Sequence, residues 1–174
     1  TKAQPYSFFA SCPQEIEPLL EQECQNLGIN STKINPRGVS FEGSLEMAYE
    51  LCLWSRVAQR VFVWLHHWEV SDLDSLYAGV QKVDWPKQMG LASTLAVDVT
   101  LRQSTFEHTH YARLRVKDSI VDQFRELKGE RPDVDSENPD VLVRVDVHRQ
   151  LAKVGIDLSG HGLHQRGYRI KQGR

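Results

Sequence analysis

Apolar positions along the chain switch between two spacings, and each switch marks an element. Tyr6-Ser-Phe-Phe-Ala10 is a short apolar run of strand length. From about Pro13 to Leu27 the spacing is helical, carried by Ile16, Leu19, Leu20, Cys24 and Leu27, with Gly28 placed for a left-handed cap. Pro18 is tolerated only in a first turn, so the regular helix is expected to begin later than its pattern. Thr32 to Asn35 and Gly38 to Gly43 predict two strands around a Pro36-Arg37-Gly38 turn. Leu45, Ala48, Tyr49, Cys52 and Leu53 predict a second helix. Val61, Val63 and Leu65 alternate in a strand from about Gln59 to His66.

The order strand-helix-strand-strand-helix-strand is that of a ferredoxin-like domain, with two helices on one face of an antiparallel sheet. From Ser71 the pattern changes. Ser71 and Asp72 are N-cap residues for a helix whose apolar stripe is Leu73, Leu76, Tyr77, Val80 and Val83, ending near Trp85-Pro86. Leu95, Val97, Val99 and Leu101 alternate inward in a strand over Thr94 to Leu101. A long helix after His110 places Ala112, Val116, Ile120, Phe124 and Leu127 on one side, and Arg115, Asp118, Asp122, Arg125 and Lys128 on the other. Pro132 to Pro139 is a short acidic loop, and Val141 to Val147 and Leu151 to Asp157 predict paired strands joined at Arg149-Gln150. The expected class is therefore α+β. Residues 1–70 form a ferredoxin-like domain, residues 71–160 an α/β domain and residues 161–174 a basic linker. Two packed units with separate sheets are expected to join near Trp68 to Asp72, the second unit borrowing the helix around Leu45 to Leu53 and the strand after it.

Composition narrows the class. No run approaches the roughly 18 apolar residues of a membrane span. The chain opens Thr-Lys-Ala-Gln-Pro without a signal pattern, which points to a trimmed domain of a cytoplasmic protein. Cys12, Cys24 and Cys52 are odd in number and form no CxxC pair, so they read as reduced, buried thiols. The net charge of −2 does not by itself suggest nucleic acid, but its distribution is uneven. Seven glutamates lie in the first fifty residues, whereas Arg113, Arg115, Lys117, Arg125, Lys128 and Arg131 gather later, and Arg166, Arg169, Lys171 and Arg174 end the chain. Asp118, Asp122, Glu126 and Glu130 interleave with the later cations, which is also what a solvated helix would show.

Candidate chemistry is sparse. His108-Thr-His110 and His161-Gly-Leu-His164 lack a third ligand in reach, so no metal site is expected. Gly160, Gly162 and Gly167 follow a strand but precede no helix pattern, which excludes a dinucleotide loop. No serine or cysteine sits in a nucleophile environment, and no catalytic residue is assigned. The positive features favour RNA. Arg113, Arg115 and Lys117 stand at the start of a helix, where free N–H groups and the dipole attract phosphate. Arg125 and Lys128 extend that face, and Arg166, Arg169 and Lys171 follow glycines. Tyr111 and Tyr168 are possible stacking platforms, or ordinary half-buried tyrosines. Arg115 lies opposite the apolar stripe, so Arg115→Ala is expected to keep its thermal midpoint while losing RNA affinity. Lys117, with its stem at the boundary, is the less clean case.

Several blocks in family order resemble the amino-terminal part of bacterial 23S ribosomal RNA guanine-N2 methyltransferases. They include Gly38-Val-Ser-Phe-Glu-Gly43, Leu53-Trp-Ser-Arg56, Tyr77-Ala-Gly-Val80, Val116-Lys-Asp-Ser-Ile-Val-Asp122 and Leu163-His-Gln-Arg-Gly-Tyr-Arg169. The resemblance runs nearly end to end and implies a ferredoxin-like domain followed by a THUMP domain, which together dock structured 23S ribosomal RNA. In that family a following Rossmann-like domain methylates guanine with S-adenosylmethionine, using Asp-Pro-x-Cys-Gly-Ser-Gly and Asn-Pro-Pro-Tyr motifs. Neither string occurs here, so the resemblance implies a non-catalytic RNA-binding part of a methyltransferase. It holds no cofactor itself, and its partners are the RNA and the methyltransferase domain of its parent. A THUMP front end of a tRNA-modifying enzyme and a ferredoxin-like interaction module without RNA affinity are the alternatives. Labels of such parents as adenine-specific DNA methylases would follow from the Asn-Pro-Pro-Tyr motif alone.

Overall fold

The computed structural model describes residues 5–160. The chain divides into two compact units, the first running to Val63 and resuming at Asp157, the second spanning Trp64–Ile156. The first carries β1 (Tyr6–Ser11), α1 (Glu17–Asn26), β2 (Thr32–Asn35), β3 (Gly38–Gly43), α2 (Leu45–Trp54) and the start of β4 (Arg60–Glu69). The second carries the rest of β4, α3 (Leu73–Val80), α4 (Trp85–Gln88), β5 (Leu95–Arg102), α5 (Thr109–Lys128), β6 (Val141–His148) and β7 (Leu151–Asp157).

The division falls inside β4, between Val63 and Trp64, and not in the Trp68 to Asp72 segment. Strand order is β2-β3-β1-β4 in the first unit and β4-β7-β6-β5 in the second. Because β4 takes part in both orders, the expectation of separate sheets fails. Its ten-residue length serves both halves, where the sequence pattern ended at His66. Helix α2 belongs to the first unit, and the outer part of β4 to the second.

In the first unit β3 pairs antiparallel with β1 and β2, giving the ferredoxin-like order. Helix α1 starts at Glu17 with Pro18 in its first turn, as the proline requires, and Gly28 takes φ +82° beyond its end. Phe8 stacks on Phe41 at 5.0 Å between ring centres, and both are buried with Leu20, Cys24, Ile29 and Leu51. The buried Glu17 carboxylate accepts from the Arg37 N–H at 2.8 Å. The backbone N–H groups of Glu17 itself and of Arg37 hold that carboxyl below its ordinary range. Glu23 accepts from the Ser55 hydroxyl and from the Arg56 N–H, tying α1 to the end of α2. The chain returns at Asp157, which is buried, pairs with Arg60 and accepts from the Ser159 N–H at 2.8 Å.

In the second unit β5 and β6 run parallel, joined through α5, and β6 turns back antiparallel into β7. Arg149 makes that turn at φ +56°. Asp72 caps α3 by accepting from the Ser75 N–H at 2.7 Å, while the Ser75 hydroxyl accepts from the Asp72 N–H. One cluster of buried residues includes Leu76, Trp85, Leu95, Val116, Ile120, Phe124, Val145 and Val154. Trp68 packs so tightly on Gly79 that an added Cβ would meet the indole at 1.9 Å.

Candidate nucleic-acid interface

Helix α5 is the element on which the expected cations sit. It begins at Thr109 and ends at Gly129, whose φ of +75° is the left-handed cap that glycine permits. Only the first four N–H groups of a helix lack a helical acceptor. Arg113 and Lys117 therefore lie beyond the free N–H groups, one and two turns in, and the expected gain from a helix start does not apply to them. The side chains themselves must supply the attraction.

At about 100° per residue, Arg113, Lys117 and Lys128 fall within about 60° of one another, on the flank of α5 that also carries buried Ile120, Val121 and Phe124, with Arg113 and Lys128 toward the two ends of the helix. Arg113 and Lys128 are exposed and Lys117 is half-buried. Among the described residues these three form no ion pair within 4.0 Å, so their charge is available to an outside partner. Arg125 is exposed about 80° further round the helix from Lys117 and sits 3.7 Å from Asp122 one turn back. Tyr111 is 59% exposed, its ring in edge contacts with His108 and His110.

Arg115 is placed differently. It points about 160° away from Lys117 around the helix. Its guanidinium donates to Asp74 at 2.8 Å and lies 4.4 Å over the Tyr77 ring. Both partners are on α3, so Arg115 ties two helices together. The same seam holds a chain of polar contacts. The Tyr77 hydroxyl donates to Asp122 at 2.8 Å, and burial followed by that hydrogen bond raises its pKa above the ordinary phenol value. The Ser119 hydroxyl donates to the Tyr77 carbonyl, and the Gln81 amide donates to the Ser119 carbonyl. Buried Gln123 accepts from the Trp85 N–H at 2.8 Å and donates to the carbonyls of Gln81 and Val83. The sequence pattern missed this seam. Its one signal was a glutamine inside an apolar stripe.

Between the C-terminal half of α5 and the following loop runs a groove of about 300 Å³. Lys117 and Arg125 line it, joined by Arg131, which the sequence reading had counted as charge but not as a site residue. The loop is built on Asp135, which accepts from the N–H groups of Glu137 and Asn138 and is held below the ordinary carboxyl range by them. Arg166, Tyr168, Arg169 and Lys171, expected beside these cations, lie outside the described residues. Among the described residues no group of three His, Cys, Asp or Glu side chains is placed to hold a metal ion. No described helix is long and apolar enough to cross a membrane.

Comparison with known proteins supplies the family context. Residues 70–157 match the THUMP domain model, and residues 7–62 match the RlmL ferredoxin-like domain. The chain is 47% identical over 167 residues to "Ribosomal RNA large subunit methyltransferase K/L" of Syntrophotalea carbinolica, covering 96% of this chain and 23% of that protein. It is 45% identical over 171 residues to the protein of the same name from Pseudomonas paraeruginosa, covering 98% of this chain and 24% of that one. The chain thus spans about a quarter of the length of these curated relatives. A crystal structure from Listeria monocytogenes described as a predicted N6-adenine-specific DNA methylase superposes with TM-score 0.84 at 25% identity, covering 98% of this chain and 45% of that one.

Proposed function

We propose that this chain, which belongs to the THUMP domain family and carries an RlmL ferredoxin-like domain ahead of that domain, docks structured RNA for a methyltransferase. The RNA is 23S ribosomal RNA, and the reaction is S-adenosylmethionine-dependent methylation of a guanine amine in the cytoplasm. The catalytic methyltransferase domain of the parent is the chain's second partner. The names of the relatives support the ribosomal substrate over a tRNA substrate. The observation that carries the reading is the gathering of cations on and beside α5: Lys117, Arg125 and Arg131 line one groove, and Arg113, Lys117 and Lys128 form no ion pair among the described residues. Arg166, Arg169 and Lys171 extend the same role, with Tyr168 and Tyr111 as stacking platforms. The cofactor does not fit here: among the described residues no Gly-x-Gly pair opens a helix after a strand, so its chemistry is assigned to the parent's methyltransferase domain.

Cations such as these engage phosphates and fix orientation without reading sequence. The test is fluorescence anisotropy with a large-subunit ribosomal RNA hairpin over a range of salt concentrations, comparing the chain with Arg113→Ala, Lys117→Ala and Lys128→Ala. Each is expected to weaken binding and to flatten the salt dependence by about 0.7 to 0.9 in log–log slope. Arg113→Ala and Lys128→Ala should keep the thermal midpoint. Unchanged affinity and slope across the three would leave the non-RNA interaction module as the better reading.

A further inference from the structure

The groove beside α5 has a charge pattern that a simple phosphate track does not need. Lys117, Arg125 and Arg131 line it together with Asp118, Asp122 and Asp133, and Val121 and Val134 supply apolar surface among them. Neither Asp118 nor Asp133 forms a side-chain ion pair among the described residues. Two free carboxylates would repel a bare phosphate backbone. They fit a ligand that brings anionic oxygens and N–H donors together on an apolar ring, which is the chemistry of a nucleotide.

We infer that this groove is a subsite for one unpaired guanine nucleotide of the docked RNA, an inference that rests on the RNA-docking reading above. Lys117 and Arg131 hold its flanking phosphates, while the ring lies over Val121 and Val134. Asp118 and Asp133 accept from the base edge. Guanine offers two adjacent N–H groups on its Watson–Crick edge, the arrangement one carboxylate can accept as a pair. Adenine and cytosine offer one amino group there, and the uracil edge flanks its single N–H with two carbonyl oxygens that carboxylates repel. Single-stranded bases are read on that edge once they are splayed out of a stack. Lys117 belongs to both the phosphate-binding cations and the groove, so the subsite adjoins them. It adds base selection to a surface that otherwise only positions.

The experiment uses the chain with four RNA hairpins of one stem that differ only in a single bulged nucleotide, G, A, C or U. The chain is expected to favour the G bulge over the U bulge by about tenfold, the scale of one good paired contact. In the double variant Asp118→Asn, Asp133→Asn the preference should collapse to within about twofold, because each amide puts a donor where guanine needs an acceptor. Stem affinity should not fall, since two charges that repel the backbone are gone, and the thermal midpoint should stay as it is. Arg131→Ala should weaken all four hairpins together. RNA binding without a G preference, or a G preference that survives the double variant, overturns the subsite and leaves the docking role standing. Failure to bind any of the hairpins overturns both.

Discussion

At the scale of single residues, spacing gave charge and exposure but not direction. Arg113 is exposed and Lys117 half-buried, the latter as its boundary position suggested. Arg115 fits the same pattern, yet it is held by Asp74 and Tyr77, because α3 lies along that flank of α5. Nothing in the local sequence says which flank a neighbouring helix will cover. The consequence reverses the expectation for Arg115→Ala. Losing a cation–π contact worth about 0.5–1 kcal/mol and a half-exposed ion pair worth up to about 1 kcal/mol should lower stability. The thermal midpoint should fall by about 2–6 °C at this chain length, while the salt slope of RNA binding stays unchanged. A preserved midpoint with a reduced slope would return Arg115 to the phosphate-binding cations. Arg113→Ala, one turn of reasoning away, should behave in the opposite manner on both measurements.

At the scale of elements, strands and strongly periodic helices were legible, and ambiguity collected where the apolar pattern was too generous or too short. β2 and β3 fall where the turn residues placed them. In α2 nearly every position is apolar, so periodicity could not choose a face: Leu51 is buried, while Tyr49 and Leu53 are mostly exposed. Leu127 reads as core but sits in the last turn of α5, where it is 62% exposed. The four-residue α4 was hidden because Trp85-Pro86 reads as the end of the preceding helix. What orders α4 is Gln123, which receives the Trp85 N–H and supplies both amide protons to the carbonyls before it. Gln123→Leu would keep the volume and leave those three backbone groups without partners. The expected cost is about 2–4 kcal/mol, since a buried group that loses its partner pays its full desolvation. Urea denaturation should show the midpoint falling with the slope unchanged, and a variant as stable as the parent chain would show that α4 is held by the Trp85 ring alone.

At the scale of the whole molecule, the two-domain organisation and the family were legible from ordered blocks of residues, because those blocks are long. The junction was not legible, because one continuous strand serves both units and leaves no break in composition at Val63–Trp64. Of the three cysteines expected to be buried, Cys12 and Cys24 are and Cys52 is half-buried, and the burial of the first two determines how the fold responds to alkali. Burial, then the nearby Glu23 and Glu21 carboxylates, pushes the Cys24 thiol up to about 12 from its ordinary 9.0. Burial and then Glu17 push Cys12 up to about 11. In the unfolded chain these thiols lose their protons from about pH 9, whereas in the folded chain they keep them until pH 11–12. Between those limits the folded state binds more protons, so stability is full below pH 9 and falls as pH rises toward the folded values. The slope is at most about 1.4 kcal/mol per pH unit for each thiol. Other groups also titrate in this range, and a comparison of variants removes them. Between about pH 8 and pH 10.5 the drop in urea midpoint should be smaller in Cys24→Ala than in the parent chain, although the variant starts from a lower stability because of the cavity it leaves. Equal drops in the two chains would mean that the Cys24 thiol ionises as readily inside the fold as outside it, contrary to its burial between α1 and the sheet of the first unit.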